Sequence, residues 1–245
     1  RGAMVLDGTG WQREVALGVA SSLGWGVVYE GARRVMKHCG KGEKSGEWAC
    51  RTVCVGHAIT ACVLSLIDNL YYGPLAYYAI GSPNTWLQTV AVQASLGYFC
   101  FDLVWCTLTG GETLTVLLHH VVSIAVCATT LVLGASGAEV VGTLFGAEVS
   151  NPLLQLRWFM VDAGMKGTPA HRRTEIAFGI VFLVCRLVWA PTLLVATLRS
   201  ARAHSIIKLG AVGMQLVSVV WSYFVWRKLM RVLRGQSSAS WGKHE

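Results

Sequence analysis

The sequence predicts an all-α integral membrane protein, and three observations carry that prediction. Apolar residues make up 53% of the 245, charged residues only 14%, and the mean hydropathy is +0.50, whereas ordinary soluble domains are about a quarter charged. The apolar residues gather into runs, one of which, Thr113 to Leu133, holds no formally charged side chain. Roughly 20 such residues are what a helix needs to cross a bilayer. Finally, the net charge of +8 comes from Lys and Arg in the segments between runs. That pattern fits membrane orientation and forms no basic, aromatic-interleaved surface for nucleic acid.

Seven helices follow in order. The first run, Val15 to Tyr29, is short and glycine-rich, and Trp11 extends it toward the interface. A basic loop with Arg33, Arg34, Lys37, Lys41 and Lys44 leads to Trp48. The second helix runs from Trp48 to Leu70 with Arg51 near its start, His57 inside and Asp68 near its end, and Tyr71-Tyr72-Gly73-Pro74 marks an interfacial turn. A second turn at Gly81-Ser82-Pro83-Asn84 precedes a third helix, Trp86 to Leu108, which carries Ser95, Tyr98 and Asp102 on one stripe. The fourth helix is Thr113 to Leu133. At four-residue spacing Thr115, His119, Ser123 and Cys127 form its polar stripe, and adjacent residues point about 100° apart, so His119 is expected inside and His120 to its side. The fifth, Ala138 to Val161, holds Glu148, Asn151 and Gln155 and is expected to kink at Pro152, freeing a carbonyl that needs a partner inside the bundle. The sixth, Thr174 to Leu198, carries Arg186 and Pro191, and the seventh, Ser205 to Trp226, leads into Arg227, Lys228, Arg231 and Arg234.

This divides the chain into an N-terminal helix with its basic loop (1–47), a six-helix domain (48–231) and a tail (232–245) whose composition predicts disorder. The loops rich in Lys and Arg after helices one and five, and the tail, fall on one side, which the positive-inside rule makes cytosolic. The pair Arg199 and Arg202 is the exception. Dropping the weak first run gives six crossings and leaves the other sides unchanged. No signal-peptide cleavage site is evident.

Charged groups at membrane depth are costly, about 2.5 to 3.5 kcal/mol on the lenient insertion scale, so they are expected to face one another or a wet cavity. Counting about 1.5 Å per residue from the helix starts brings His57, Asp102, His119 and Asn151 to one depth, with Glu148 a little nearer the centre. Asp102 or Glu148 is the carboxylate expected to poise His119, and Glu148 is the first candidate to pair with Arg186. A structural role as interhelical glue is the competing explanation, each pair contributing about 0.6 to 2 kcal/mol. For Asp68, Gln93 and Gln155, near helix ends or uncharged, it is the favoured one. Metal chemistry is disfavoured. A membrane di-iron site needs boxes of histidines, and the four outside His57, His119 and His120 lie in loops or the tail. Of the eight cysteines, Cys50 and Cys54 have helical rather than CxxC spacing, so neither a zinc site nor a disulfide framework is expected. There is no G-x-S-x-G elbow and no phosphate loop. What remains is a histidine poised by a carboxylate as base or acyl carrier.

Gly97-Tyr98-Phe99 with Asp102, Leu118-His119-His120, Gly142-Thr143-Leu144 and Glu148-Val149-Ser150-Asn151-Pro152-Leu153-Leu154 resemble the TLC domain family, over about Trp48 to Arg231. The resemblance implies six membrane helices ringed around a lipid-sized chamber, with one further helix before them. Ceramide synthases belong to this family. Their histidine pair matches His119 and His120, and acyl-CoA reaches their chamber from the cytosolic side. Their two downstream aspartates match Glu148 and Asn151, so here one carboxylate is extended by a methylene and the other is a neutral amide.

The first expectation is therefore a protein that binds or regulates membrane lipid in an inner chamber. The alternative is a lipid acyltransferase using acyl-CoA as substrate, with His119 as acyl carrier or base and His120, Asp102 and Glu148 as catalytic partners. A proton-coupled carrier is a third reading, disfavoured by the lack of a repeated half. Substrate contacts are expected from His57, Tyr98, Ser123, Asn151 and Arg186. No metal or cofactor is expected, and the partners are membrane lipids and not nucleic acid. The expected location is the endoplasmic reticulum, with the plasma membrane as the alternative and the C-terminus cytosolic.

Overall fold

The computed structural model describes residues 10–72, 76–110 and 112–235. Gly73 and Pro74 of the first turn, and the tail beyond Gly235, lie outside the described residues. Within them the chain is helical, and five stretches are long and apolar enough to cross a membrane: 12–70, 86–109, 114–133, 169–199 and 205–233. The first of these folds back on itself. Helix α1 (Gly10–Met36) ends in a tight reversal through Lys37–Lys44, and α2 (Ser45–Ile67) returns beside it. The helix α1 outruns the expected Val15 to Tyr29 because its charged end supports itself. Glu30 accepts hydrogen bonds from Arg33 at 2.8 Å and Arg34 at 3.0 Å, one helical turn away on the same face.

The start of α3 (Trp86–Thr109) is built from side chains at several positions. Thr85 and Gln88 form a reciprocal capping box, and Asp68, at the end of α2, accepts from Thr85 Oγ1 and from Gln88 Nε2, both at 2.8 Å. The turn before it then clasps the link between α4 (Leu114–Leu133) and α5 (Gly137–Glu148). Asn84 N–H donates to Gly134 C=O at 2.9 Å and Ser136 N–H to Ser82 C=O at 2.9 Å. The Asn84 side chain donates to Thr130 C=O at 3.0 Å and accepts from Gly137 N–H at 2.7 Å. Gly81 has a φ of +72°, and a Cβ there would sit 2.5 Å from Cβ of Arg202. Only glycine meets both conditions.

The expected fifth helix is two. After α5, Val149 and Ser150 form a turn, and α6 (Asn151–Asp162) starts afresh with Pro152 in its first turn, where a missing N–H costs nothing. Each half has 12 residues, about 18 Å against a hydrocarbon core of about 30 Å. Together they run along α2 as one rod, from Ser65 beside Val141 to Trp48 beside Asp162. The sixth expected helix also divides. In α7 (Pro169–Val184), capped by Thr168, the ladder slips into a π-helical turn at Cys185–Trp189 before α8 (Ala190–Arg199). Pro191 explains the slip, since it cannot donate to the carbonyl four residues back. The last helix, α9 (Ser205–Leu233), continues past Trp226.

Neighbouring rods pack in the order α2, α3, α4, α9, α7 with α8, and α6 with α5, which returns to α2. Helix α1 lies outside that circuit against α2 and α3. Its close approach is set by Gly97, where a Cβ would fall 2.5 Å from Cβ of Ser21. Leu108 and Leu209 stand 82% and 72% exposed on the outer face, which is apolar surface for lipid. At the end holding the reversal after α1, Asp162 accepts from Lys44 at 2.5 Å and from Trp48 Nε1 at 2.9 Å. These bonds hold its carboxyl below the ordinary range. At the same end Lys228 meets Glu175 at 2.8 Å.

Candidate functional site

His57, Tyr98, Asp102, His119, His120, Ser123, Glu148 and Arg186 are all buried, but the structure sorts them into three groups rather than one. In the first, His57 is fully enclosed. Its ring stacks on Tyr98 with centroids 3.9 Å apart and planes 6° from parallel, and Trp25 of α1 meets it edge-on. Its Nε2 lies 3.1 Å from Ser95 Oγ, and its Nδ1 lies 3.7 Å from Glu148 Oε2, too far for a hydrogen bond. Serine, histidine and carboxylate stand in the order of a nucleophilic triad. Ser95 is as enclosed as His57, so the set stands here as an interior polar network. Glu148 is held by Asn151 Nδ2 at 3.0 Å, and Asn151 also donates to Cys54 Sγ at 3.1 Å. Asn151 therefore braces Glu148 and α2.

The second group corrects the expected pairing. Asp102 faces His120, with Oδ2 3.3 Å from Nε2, and not His119. Tyr98 donates its hydroxyl to the same carboxylate at 3.2 Å, and Cys50 its thiol at 3.5 Å. Donor atoms of Asp102, Cys106 and His120 all lie within 4.8 Å of one another, a set of the kind zinc accepts. Its signal in the sequence is faint: Asp102 and Cys106 share a helix face, and His120 arrives from another helix. Nδ1 of His120 has no hydrogen-bond partner among the described residues, whereas ligating histidines ordinarily donate that N–H to an acceptor. Asp102 is thus the centre of a cluster in which Tyr98 and Cys50 donate to its carboxylate and His120 and Cys106 stand beside it.

The third group surrounds a cavity of about 50 Å³ between α3, α4, α5, α8 and α9. His119, Ser123 and Cys127 line it from α4, so three of the four residues of the expected stripe do share one wall. Val140, Thr143, Leu144 and Ala147 of α5 face them, and Ile207, Gly210, Ala211 and Met214 of α9 close the side. Glu139, not singled out from the sequence because it stands at the start of its run, reaches the far end of this wall. Its carboxylate accepts Gly81 N–H at 3.1 Å. The ring of His119 packs on Trp221 with centroids 5.2 Å apart, and its Nδ1 is buried without a partner among the described residues.

Arg186 departs from expectation as well. No carboxylate oxygen among the described residues lies within 4.0 Å of it, and Glu148 is engaged elsewhere. Its Nη2 donates to Ala147 C=O at 3.1 Å and its Nη1 to Ser218 Oγ at 3.3 Å, while Nε is buried without a partner. The Ala147 carbonyl is one that the break between α5 and α6 leaves open, and Arg186 caps it inside the bundle; the carbonyl that Pro152 itself frees, four residues back, is that of Glu148.

Compared with known proteins, residues 44–227 match the family model of the TLC domain. No solved structure matches the chain.

Proposed function

The chain belongs to the TLC domain family, and on that footing we propose that this multi-pass membrane protein binds or regulates membrane lipid in a chamber enclosed by its six rods. The observation that supports this reading is the cavity on the His119 wall. Most of its lining is apolar, with His119, Ser123, Thr143, Glu139 and Thr197 as the polar exceptions, which is the composition expected of a site for an amphiphile. At about 50 Å³ it is far smaller than the roughly 300 to 1,000 Å³ of ordinary ligand pockets, so an acyl chain enters by displacing side chains. Met214, unbranched and adaptable, is the first to move. Photo-crosslinking with a diazirine-bearing lipid in nanodiscs tests the reading. Labelled peptides should come from α4 and α9, and Ala211→Leu, which fills the cavity, should remove them. Labelling confined to outward residues such as Leu209 would overturn it.

Acyl transfer from acyl-CoA to a lipid is the second reading. It is favoured by His119 standing on the cavity wall beside the His120–Asp102 pair and weakened because no carboxylate among the described residues bonds His119 itself. Within the family, Gly81-Ser82-Pro83-Asn84-Thr85 and Asn151-Pro152-Leu153-Leu154-Gln155-Leu156-Arg157-Trp158 are similar to TLC domain-containing protein 5. We place the chain in the endoplasmic reticulum, with the plasma membrane as the alternative. The end carrying Lys41, Lys44 and Lys228 faces the cytosol.

A further inference from the structure

We propose that Arg186 recognises an anionic oxygen head group, a carboxylate or a phosphate, carried on the apolar chain that occupies the neighbouring cavity. The inference rests on the lipid-binding reading and adds the class of lipid to it. Four observations carry it. A guanidinium is a permanent charge, and at this depth it is stable only with a partner or water. Arg186 is 6% exposed, yet no carboxylate lies within 4.0 Å among the described residues and its Nε has no acceptor. The carboxylate nearest in the network, Glu148, is turned toward Asn151 and His57. Second, Arg186 lies in the π-helical turn Cys185–Trp189, and such insertions in α-helices mark functional sites with unusual frequency. Third, the turn is held in place from α9, where Gln215 Nε2 donates to the Arg186 carbonyl at 3.2 Å and Ser218 accepts from its Nη1. Fourth, Arg186 stands directly behind the cavity wall. Its Nη2 bonds the carbonyl of Ala147, a lining residue, and its charge acts on His119, another.

A purely structural role, capping the open end of α5, accounts for the bond to Ala147. It leaves Nε without an acceptor among the described residues, and the charge is met only by the Phe182 ring and by Glu148 acting from beyond 4.0 Å, while a carbonyl offers only a partial charge. The planar fork of an arginine suits two-oxygen head groups, to which it gives two parallel hydrogen bonds. Arg186 is not itself a lining residue, so an anion entering along the His119 wall reaches that fork by displacing the Ala147 carbonyl from Nη2, with its chain lying against Val126, Leu144 and Met214.

Competition binding on the purified full chain in nanodiscs tests this with four amphiphiles of one chain length: hexadecanoate, hexadecyl phosphate, hexadecanol and hexadecylamine. We expect one or both anions to bind at least about tenfold more tightly than the alcohol, and the two anionic arms to separate carboxylate from phosphate. Arg186→Gln should erase that preference while hexadecanol still binds, which shows the variant folded, and Arg186→Lys should retain part of it. Equal affinity for alcohol and anions in the wild type, or a preference that survives Arg186→Gln, overturns the inference and leaves the lipid reading standing. Failure of all four to bind the wild type overturns both.

Discussion

Nε2 of His120 lies 3.3 Å from Oδ2 of Asp102, and this pairing leaves His119, one residue earlier, on the cavity wall with no carboxylate bonded to it among the described residues. The two adjacent histidines thus have different surroundings and different expected roles.

Substitution of His119 separates the two functional readings. If His119 only lines a lipid site, His119→Asn should weaken lipid binding by about 1 to 2 kcal/mol, the scale of one hydrogen bond, and purified protein incubated with labelled acyl-CoA should form no covalent adduct. Turnover that falls by orders of magnitude, or an adduct mapped to His119, supports acyl transfer instead.

The Asp102 cluster is expected to be held by hydrogen bonds alone. A chelator should leave the melting temperature unchanged, and the purified protein should carry no stoichiometric metal. A chelator-induced loss of stability that Cys106→Ser abolishes would assign Asp102, Cys106 and His120 as ligands.

The clasp between the two loops should matter more than its polar sequence suggests. Asn84→Ala removes the bonds to Thr130 and Gly137 and should cost about 2 kcal/mol, at roughly 1 kcal/mol each. Asn84→Asp retains the acceptor for Gly137 and should cost less. Thermal unfolding in detergent reads both.

These cases show what the sequence could and could not supply. The polar stripes were legible from four-residue spacing, and His119, Ser123 and Cys127 do line one wall. Which stripe meets which was not legible, because the rotation of each helix about its axis is fixed by packing with distant helices. A change of one residue turns the phase by about 100°, enough to exchange His119 for His120 as the partner of Asp102. Pro152 announced a bend in the fifth helix. It could not announce that Arg186, more than thirty residues on, would cap the Ala147 carbonyl at that break. Gly81-Ser82-Pro83-Asn84 read correctly as a turn, but its grip on Gly134 and Ser136 is a long-range contact with no local signature.

Asp162 gives an acid limb to stability. Its carboxyl is held below its ordinary value of 3.8, chiefly by the Lys44 hydrogen bond and further by Trp48 and Lys41. A depressed carboxyl contributes stability that is fully present above the unfolded value and is lost as pH falls through the folded one. Unfolding measured from pH 7 downward should therefore show a loss beginning below about pH 4, and Asp162→Asn should flatten that limb while lowering stability at neutral pH.

Sidedness can be read from a single thiol. Cys39 is exposed in the reversal between α1 and α2. If that end is cytosolic, a membrane-impermeant maleimide should label it after digitonin opens the plasma membrane and not in intact cells. Labelling in intact cells, or labelling that appears only once detergent opens the internal membranes, would invert the topology.

The family match begins at residue 44, yet the wall over His57 comes from residue 25. Trp25 lies edge-on to the His57 and Tyr98 rings and donates its Nε1–H to Ala94 C=O at 3.0 Å. The limits of the family match and the side chains that enclose His57 therefore do not coincide in this protein. A transplant of 44–227 into another chain would carry every histidine of the site and still leave a lateral window, through which bilayer acyl chains would touch a polar network that the parent molecule keeps dry.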